Sequence, residues 1–252
     1  MKNKTIAITG KGGVGKTTIA GLFVLRMIQN GLNPVLAVDA DPNSCLDACL
    51  GVKVEKSVGK VREEAREIAS KGLAAGISKQ ELLEMKIAES LVEADDFDLI
   101  AMGRPEGPGC YCYANNVLKQ VLGTIAENYP YVVLDNEAGL ENLSRRIVQN
   151  VDWLIAVADP SRRGLETVIR LNELAKEMGI KYEKFAVFIN RLRKPELPAF
   201  ADELKKLTNA DCIIGLPDDS ELAEIAETTG DLSNVSSGNE IIKIIDEFIK
   251  GI

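Results

Sequence analysis

The sequence predicts an α/β fold in which a mostly parallel sheet of about seven strands is flanked on both faces by helices. Three observations lead there. Short β-rich apolar runs recur between helical patterns, at about 4–9, 34–38, 97–102, 131–135, 153–158, 184–190 and 211–215, and strands alternating with helices favour parallel pairing. Runs such as Tyr131-Val132-Val133-Leu134 and Trp153-Leu154-Ile155-Ala156-Val157 are apolar without alternation, which suits strands covered on both sides. A glycine-rich segment falls directly between the first run and the first helical pattern, where open parallel sheets take up phosphates.

The first run, Thr5-Ile6-Ala7-Ile8-Thr9, leads into Gly10-Lys11-Gly12-Gly13-Val14-Gly15-Lys16-Thr17, and helical periodicity follows over Thr18–Asn30. This is the strand–loop–helix context that G-x-x-x-x-G-K-[ST] requires, and it predicts a P-loop NTPase. Glycines free the backbone so that successive N–H groups converge on phosphate oxygens. Gly12, Gly13, Val14, Gly15, Lys16, Thr17 and Thr18 form the expected cradle, with Lys16 on the outer phosphates and the Thr17 hydroxyl ligating Mg²⁺. Lys11 is a second loop charge beyond that need. The second strand closes in Asp39-Ala40-Asp41 and the fourth in Asp135-Asn136-Glu137. An Asp closing an apolar strand is the residue that holds Mg²⁺ in such enzymes, so Asp39 and Asp135 are candidate Mg²⁺ groups.

Residues 53–95 are longer and more charged than a crossover needs. Val58–Ser70 and Lys79–Glu93 each predict an amphipathic helix, together capping the sheet edge as a helical insertion. Trp153 is expected in the core. The last helix sets Ile241, Ile242, Ile245, Phe248, Ile249 and Ile252 on one face and Lys243, Asp246, Glu247 and Lys250 on the other. A polar face of about zero net charge favours docking on the domain over docking on a membrane. With no repeat, low-complexity tract or linker, residues 1–252 are expected to form a single domain.

Composition excludes some classes of function. A hydrophobic content of 46% with 27% charged residues is that of a soluble globular protein. The net charge of −8 argues against broad binding to nucleic acid or anionic lipid. No apolar run approaches the roughly 20 residues that span a bilayer. The first strand begins almost at once, so no signal peptide is expected and a reducing cytoplasm is the default compartment. Five cysteines, an odd number, do not suggest a disulfide framework in a chain of this length. Histidine is absent, so a transition-metal site must use thiolates or carboxylates.

Two of those cysteines fall in Arg104-Pro105-Glu106-Gly107-Pro108-Gly109-Cys110-Tyr111-Cys112-Tyr113. A C-x-C pair supplies two thiolates and cannot complete a four-coordinate site alone. Two copies about a two-fold axis would place four sulfurs around one ion. Thiolates do not by themselves choose between Ni²⁺ and Zn²⁺. Cys45 and Cys49 are four apart, a spacing that can chelate, but their neighbours Leu46, Ala48 and Leu50 read as helix packing. Cys212 opens an apolar strand and reads as core.

Lys11 within the loop, together with both Asp motifs, resembles the deviant Walker A group of ATPases, which includes MinD, ParA and the nitrogenase iron protein, over essentially the whole chain. The resemblance implies ATP and Mg²⁺ as ligands and a nucleotide-bound homodimer in which Lys11 reaches the partner's phosphates. It implies Asp41 as the residue positioning the attacking water and Asp135 as the sensor of Mg²⁺ and the γ-phosphate. Asn190-Arg191 and Leu216-Pro217-Asp218 look like the adenine-binding segments of that group. In the nitrogenase iron protein a second cluster-ligating cysteine follows the switch aspartate; here Asn136–Ser144 contains none.

The segments Gly103–Tyr113 and Asp135–Arg146 are similar to those of the CooC family, nickel-insertion accessory ATPases of carbon monoxide dehydrogenase. This implies Ni²⁺ or Zn²⁺ shared across the dimer by Cys110 and Cys112, and a client that is carbon monoxide dehydrogenase or the associated acetyl-CoA synthase. Two rivals stand beside it. One is an ATP-gated reductase holding a [4Fe–4S] cluster on the same thiolates. The other is a positioning ATPase acting on membrane or DNA, against which the charge pattern speaks.

Overall fold

The computed structural model describes residues 3–43, 45–71, 77–103, 123, 125–137 and 150–252. Its strands are β1 Lys4–Gly10, β2 Val35–Asp39, β3 Val92–Glu93, β4 Phe97–Ala101, β5 Tyr131–Asp135, β6 Asn150–Ala158, β7 Lys181–Leu192 and β8 Cys212–Pro217. The helices among the described residues are α1 Lys16–Gln29, α2 Leu46–Cys49, α3 Val58–Lys71, α4 Lys79–Ala88, α5 Arg162–Glu177, α6 Ala201–Thr208, α7 Ser220–Glu227 and α8 Glu240–Ile249.

The strands form one sheet in the order β3-β4-β2-β5-β1-β6-β7-β8. Every neighbouring pair is parallel except β3 with β4. Eight strands replace the expected seven or so. The addition is β3, two residues in a stretch whose periodicity predicts the tail of a helix running to Glu93. The helix stops at Ala88 instead, where the Ser90 hydroxyl donates to the Ile87 carbonyl at 2.7 Å. The chain then turns back, pairing Val92 with Leu99 and Glu93 with Asp98. A two-residue strand has no periodicity of its own and exists only through its partner.

Alternation along each strand divides the core into two layers. On β1, Ile6 and Ile8 join one cluster while Ala7 joins the other. On β6, Trp153, Ile155 and Val157 face the first cluster, and Leu154, Ala156 and Ala158 the second. Both faces are apolar because both are covered, as the unbroken runs predict. The first layer contains α1 and α8, the second α3 and α5. Trp153 is 7% exposed and packs edge-on against Phe248 of α8, with ring centroids 4.8 Å apart. Such a contact adds about 0.5–1.5 kcal/mol to the burial itself.

The apolar face of α8 is therefore spent within the domain: Ile241, Ile242, Ile245 and Ile249 are all buried. No described helix is long and apolar enough to cross a membrane. Cys212 begins the edge strand β8 and is half-buried against the first layer, less deeply placed than a core residue.

Candidate functional site

β1 lies near the middle of the sheet, between β5 and β6, and its carboxyl end delivers the chain into the glycine-rich loop. Val14, 3% exposed, sinks into the first core layer and anchors the loop, while Lys11, Gly12 and Gly13 stay exposed. Helix α1 starts at Lys16 with no side-chain cap and no acidic residue in its first turn. Its positive end is thus left free for an anion. Gly15 has φ of 95° and closes on β7 so tightly that a Cβ there would stand 2.5 Å from Asn190 Nδ2. Lys16 folds back over the loop, its ammonium donating to the Lys11 carbonyl at 3.3 Å. Burial lowers the Lys16 pKa, and Asp135, Asp41 and Glu137 act against that shift.

The strand-end carboxylates come together beside this lysine. Asp39 and Asp135 are register partners on β2 and β5, and both are almost wholly buried. Desolvation raises Asp135 to about 7; the Thr17 side chain hydrogen-bonds to it and pulls the other way, while Asp39 adds repulsion. Burial likewise raises Asp39 to about 6, against the hydrogen bonds it accepts from backbone N–H groups. Those bonds define what Asp39 does in the fold. One oxygen accepts from Asp41 N–H at 3.0 Å, and the other from Cys45 and Leu46 N–H at 2.9 and 3.0 Å. Asp39, a candidate Mg²⁺ group by its strand-end position, also holds the start of α2 and the loop carrying Asp41. The Asp41 carboxylate accepts from the backbone and side-chain amides of Asn43 at 2.8 and 3.0 Å.

A divalent cation suits this arrangement. Asp135 Oδ1 and Thr9 Oγ1 are buried without a hydrogen-bond partner among the described residues. Burial holds these two adjacent carboxyls above the usual carboxylate range, and a hard cation would favour their charged forms. Among the described residues no three His, Cys, Asp or Glu side chains are grouped to hold a metal by themselves. Mg²⁺ does not need three: it takes one or two protein oxygens plus phosphate and water. Thr17 and Asp135 fit that demand.

At the other side of the loop, β7 and β8 lose register between Ile189 and Leu192. The Asn190 amide donates to the Val14 carbonyl at 2.8 Å, and the Arg191 guanidinium to the Gly13 carbonyl at 3.1 Å. Pro217 pairs with Leu192, and the Asp218 N–H donates to the Leu192 carbonyl at 2.8 Å. The two predicted base-side segments therefore meet each other, and the first of them also touches the phosphate loop.

Two contributors went unassigned from sequence. Asn136 anchors the end of β5, its amide donating to the Ile8 carbonyl at 2.9 Å. Glu137 acts electrostatically on Lys16. Their position just after a strand-closing Asp was the available signal.

Cys110 and Cys112 lie outside the described residues. The segment that carries them starts from Gly103, whose φ is 61°. Cys49 packs toward α1, and its thiol is pushed up to about 12, first by burial and then by Asp135 and Cys45. Cys45 is exposed, its thiol also raised, first by burial and then by Asp39.

A glycine-rich loop between β1 and α1, faced by strand-end aspartates on a mostly parallel sheet, defines an α/β single-domain P-loop NTPase of the MinD/ParA type. The chain belongs to the AAA_31 family, described as AAA domain, whose model matches residues 3–185. It is 43% identical over 248 residues to an uncharacterized ATP-binding protein of Methanocaldococcus jannaschii, covering 98% of this chain and 97% of that one. It is 30% identical over 229 residues to the carbon monoxide dehydrogenase accessory protein CooC of Rhodospirillum rubrum, covering 86% and 84%. Its fold is similar to that of a ParA family ATPase from Chlorobium tepidum, with a TM-score of 0.72 at 20% identity over 98% of each chain. ATP binding and ATPase activity of the P-loop kind follow from that membership.

Proposed function

We propose that this ATPase is a metal carrier, a nucleotide-driven homodimer in a reducing cytoplasm that holds nickel on Cys110 and Cys112 and delivers it during maturation of carbon monoxide dehydrogenase. The observation that carries the reading is where the two-thiol segment leaves the sheet. Ala101, Asp39, Asp135 and Ile8 stand level across four adjacent strands. The Met102 N–H donates to the Asp39 carbonyl at 2.8 Å. The chain thus departs toward Cys110 and Cys112 directly beside the carboxylates that face the phosphate loop. The likeness to the CooC protein supports the same reading.

In this mechanism Lys16 and the loop N–H groups bind the terminal phosphates, and Thr17 and Asp135 would hold Mg²⁺. That ion, when bound, neutralises phosphate charge. Asp41 orients the attacking water. Lys11 crosses to the partner's phosphates and stabilises charge as it develops in transfer. Pro217 and Asp218 would lie on the base side, next to the Asn190-Arg191 segment that touches the loop. Loss of the γ-phosphate removes contacts made by Lys11 and Asp135, loosens the subunit interface and changes the spacing of the four sulfurs. Their softness suits Ni²⁺ or Zn²⁺ as cargo, and the client is a nickel enzyme, carbon monoxide dehydrogenase or the associated acetyl-CoA synthase. The acidic balance and the buried face of α8 weigh against nucleic acid or membrane as partners.

The test is metal analysis of anaerobically purified protein with its mass in solution, with and without ATP. Cys112→Ser should lose one tight metal equivalent per dimer while still hydrolysing ATP; unchanged metal content would clear the pair of this duty. An ATP-gated iron–sulfur reductase is the second reading, because four thiolates also suit a cubane cluster. A visible band after anaerobic reconstitution, bleached by dithionite, would favour it.

A further inference from the structure

The phosphate loop is held at one corner by two consecutive residues that lie 176 and 178 positions away in sequence: Asn190 donates to the Val14 carbonyl and Arg191 to the Gly13 carbonyl. The backbone is bent to make this possible. Arg191 sits at φ of 63°, a left-handed conformation that costs a non-glycine residue about 1–2 kcal/mol. It does so at the break in the β7–β8 register, and such irregularities re-aim side chains next to functional sites. Its own N–H donates to Asn190 Oδ1 at 3.0 Å, which fixes the orientation of the Asn190 amide. Gly15 completes the contact from the loop side, since any Cβ there would collide with Asn190 Nδ2.

The consequence follows from peptide geometry. The Gly13 carbonyl and the Val14 N–H belong to one trans peptide plane and point in opposite directions, as do the Val14 carbonyl and the Gly15 N–H. Donors that draw two successive carbonyls toward β7 therefore turn two successive N–H groups away from it. Two N–H groups so aligned are the elements of an anion-binding nest.

We propose that Asn190 and Arg191 are positioning residues for phosphate binding, setting the direction of the Val14 and Gly15 N–H groups by holding the opposite ends of their peptide planes. This rests on the loop's binding of nucleotide and not on the metal-carrier reading. It makes a different demand from base recognition. A residue that reads adenine discriminates ATP from GTP; a residue that orients the loop serves every polyphosphate alike.

The experiment measures dissociation constants for ATP, GTP and inorganic pyrophosphate with the full chain. Asn190→Ala and Arg191→Ala are expected to weaken all three by a common factor of roughly ten, with the ATP-to-GTP ratio unchanged. Gly15→Ala, which displaces Asn190 from the opposite side, should weaken them similarly. Combined with Asn190→Ala, it should be little worse than either substitution alone, as for two ends of one contact. Arg191→Gly keeps the left-handed backbone without strain and removes only the guanidinium. It should bind as weakly as Arg191→Ala yet melt at a higher temperature, which separates loop positioning from a folding defect. A fall in ATP affinity with pyrophosphate unaffected would overturn the proposal in favour of base recognition. Additive losses in the Gly15/Asn190 pair would overturn it as well. A wild-type chain that binds none of the three would instead sink the nucleotide reading beneath it.

Discussion

Arg26 of α1 and Asp246 of α8 form a two-pronged ion pair: Nε meets Oδ1 and a terminal nitrogen meets Oδ2, each at 2.7 Å. Asn30 adds a third donor to the same carboxylate at 2.9 Å. The pair joins the helix that begins at the phosphate loop to the last helix of the chain. It completes what the charge pattern of the terminal helix predicts, a helix docked on its own domain. Asp246→Ala leaves a partly buried guanidinium without its partner and should cost about 1–3 kcal/mol. At this chain length that is a fall in melting temperature of roughly 2–4 °C per kcal/mol, read by calorimetry. Burial alone would raise the Asp246 pKa, but its bonds to Arg26 and Asn30 hold it below the usual value. The pair's contribution is therefore present at neutral pH and lost as pH falls through the depressed folded-state value, in the acid range below the ordinary aspartate pKa.

Asp135 and Asp39 act with the opposite sign. Both carboxyls are raised, to about 7 and about 6, so between the ordinary value near 3.8 and those values the native state binds more protons than the unfolded chain. Their contribution to stability is largest in acid and declines as pH rises toward 7. Nucleotide-free Asp135→Asn should lose the Asp135 share of this dependence, keep that of Asp39, and be more stable than wild type at pH 8, by roughly 1–3 kcal/mol. The stabilisation given by Mg²⁺ with ADP should grow from pH 6 to pH 8, since ligating carboxylates must be deprotonated. Denaturation curves at the two pH values check both, and a pH-independent shift would refute the assignment.

Gly103 marks the departure of the cysteine segment. A Cβ at this position would stand 2.2 Å from Ser57 Oγ and 2.3 Å from Ser57 Cβ, and φ is 61°. Gly103→Ala should therefore destabilise by about 2–4 kcal/mol. Adding Ser57→Gly removes the collision and should recover all but the backbone strain of about 1–2 kcal/mol, which urea titration of the single and double variants resolves.

Lys11 is exposed, and its carbonyl, not its ammonium, meets Lys16. Lys11→Ala should leave ATP affinity within a few-fold of wild type while abolishing hydrolysis by the dimer. Normal turnover by this variant would remove the trans role from the mechanism.

The site was legible in proportion to how locally each part is encoded. The phosphate loop, Lys16, Thr17 and the strand-closing Asp39 and Asp135 could be named as candidates because loop chemistry and strand ends are written in adjacent residues. What Asp39 does in the fold could not, because its three backbone donors are supplied by how the following loop folds back. Asn190 and Arg191 were placed on the base side from resemblance; their bonds to Gly13 and Val14 arise only once β7 lies two strands from β1.

By itself the sequence determined the alternation of strands and helices, the coverage of both sheet faces, the phosphate loop and the docking of the last helix. Each of these follows from side-chain patterns over a few turns or a few alternations. Only the tertiary structure decided the two-residue strand β3, the level alignment of Ala101, Asp39, Asp135 and Ile8, and the hold of β7 on the loop. Those depend on strand order and register, which bring together residues whose separation in the chain erases any local trace of the contact.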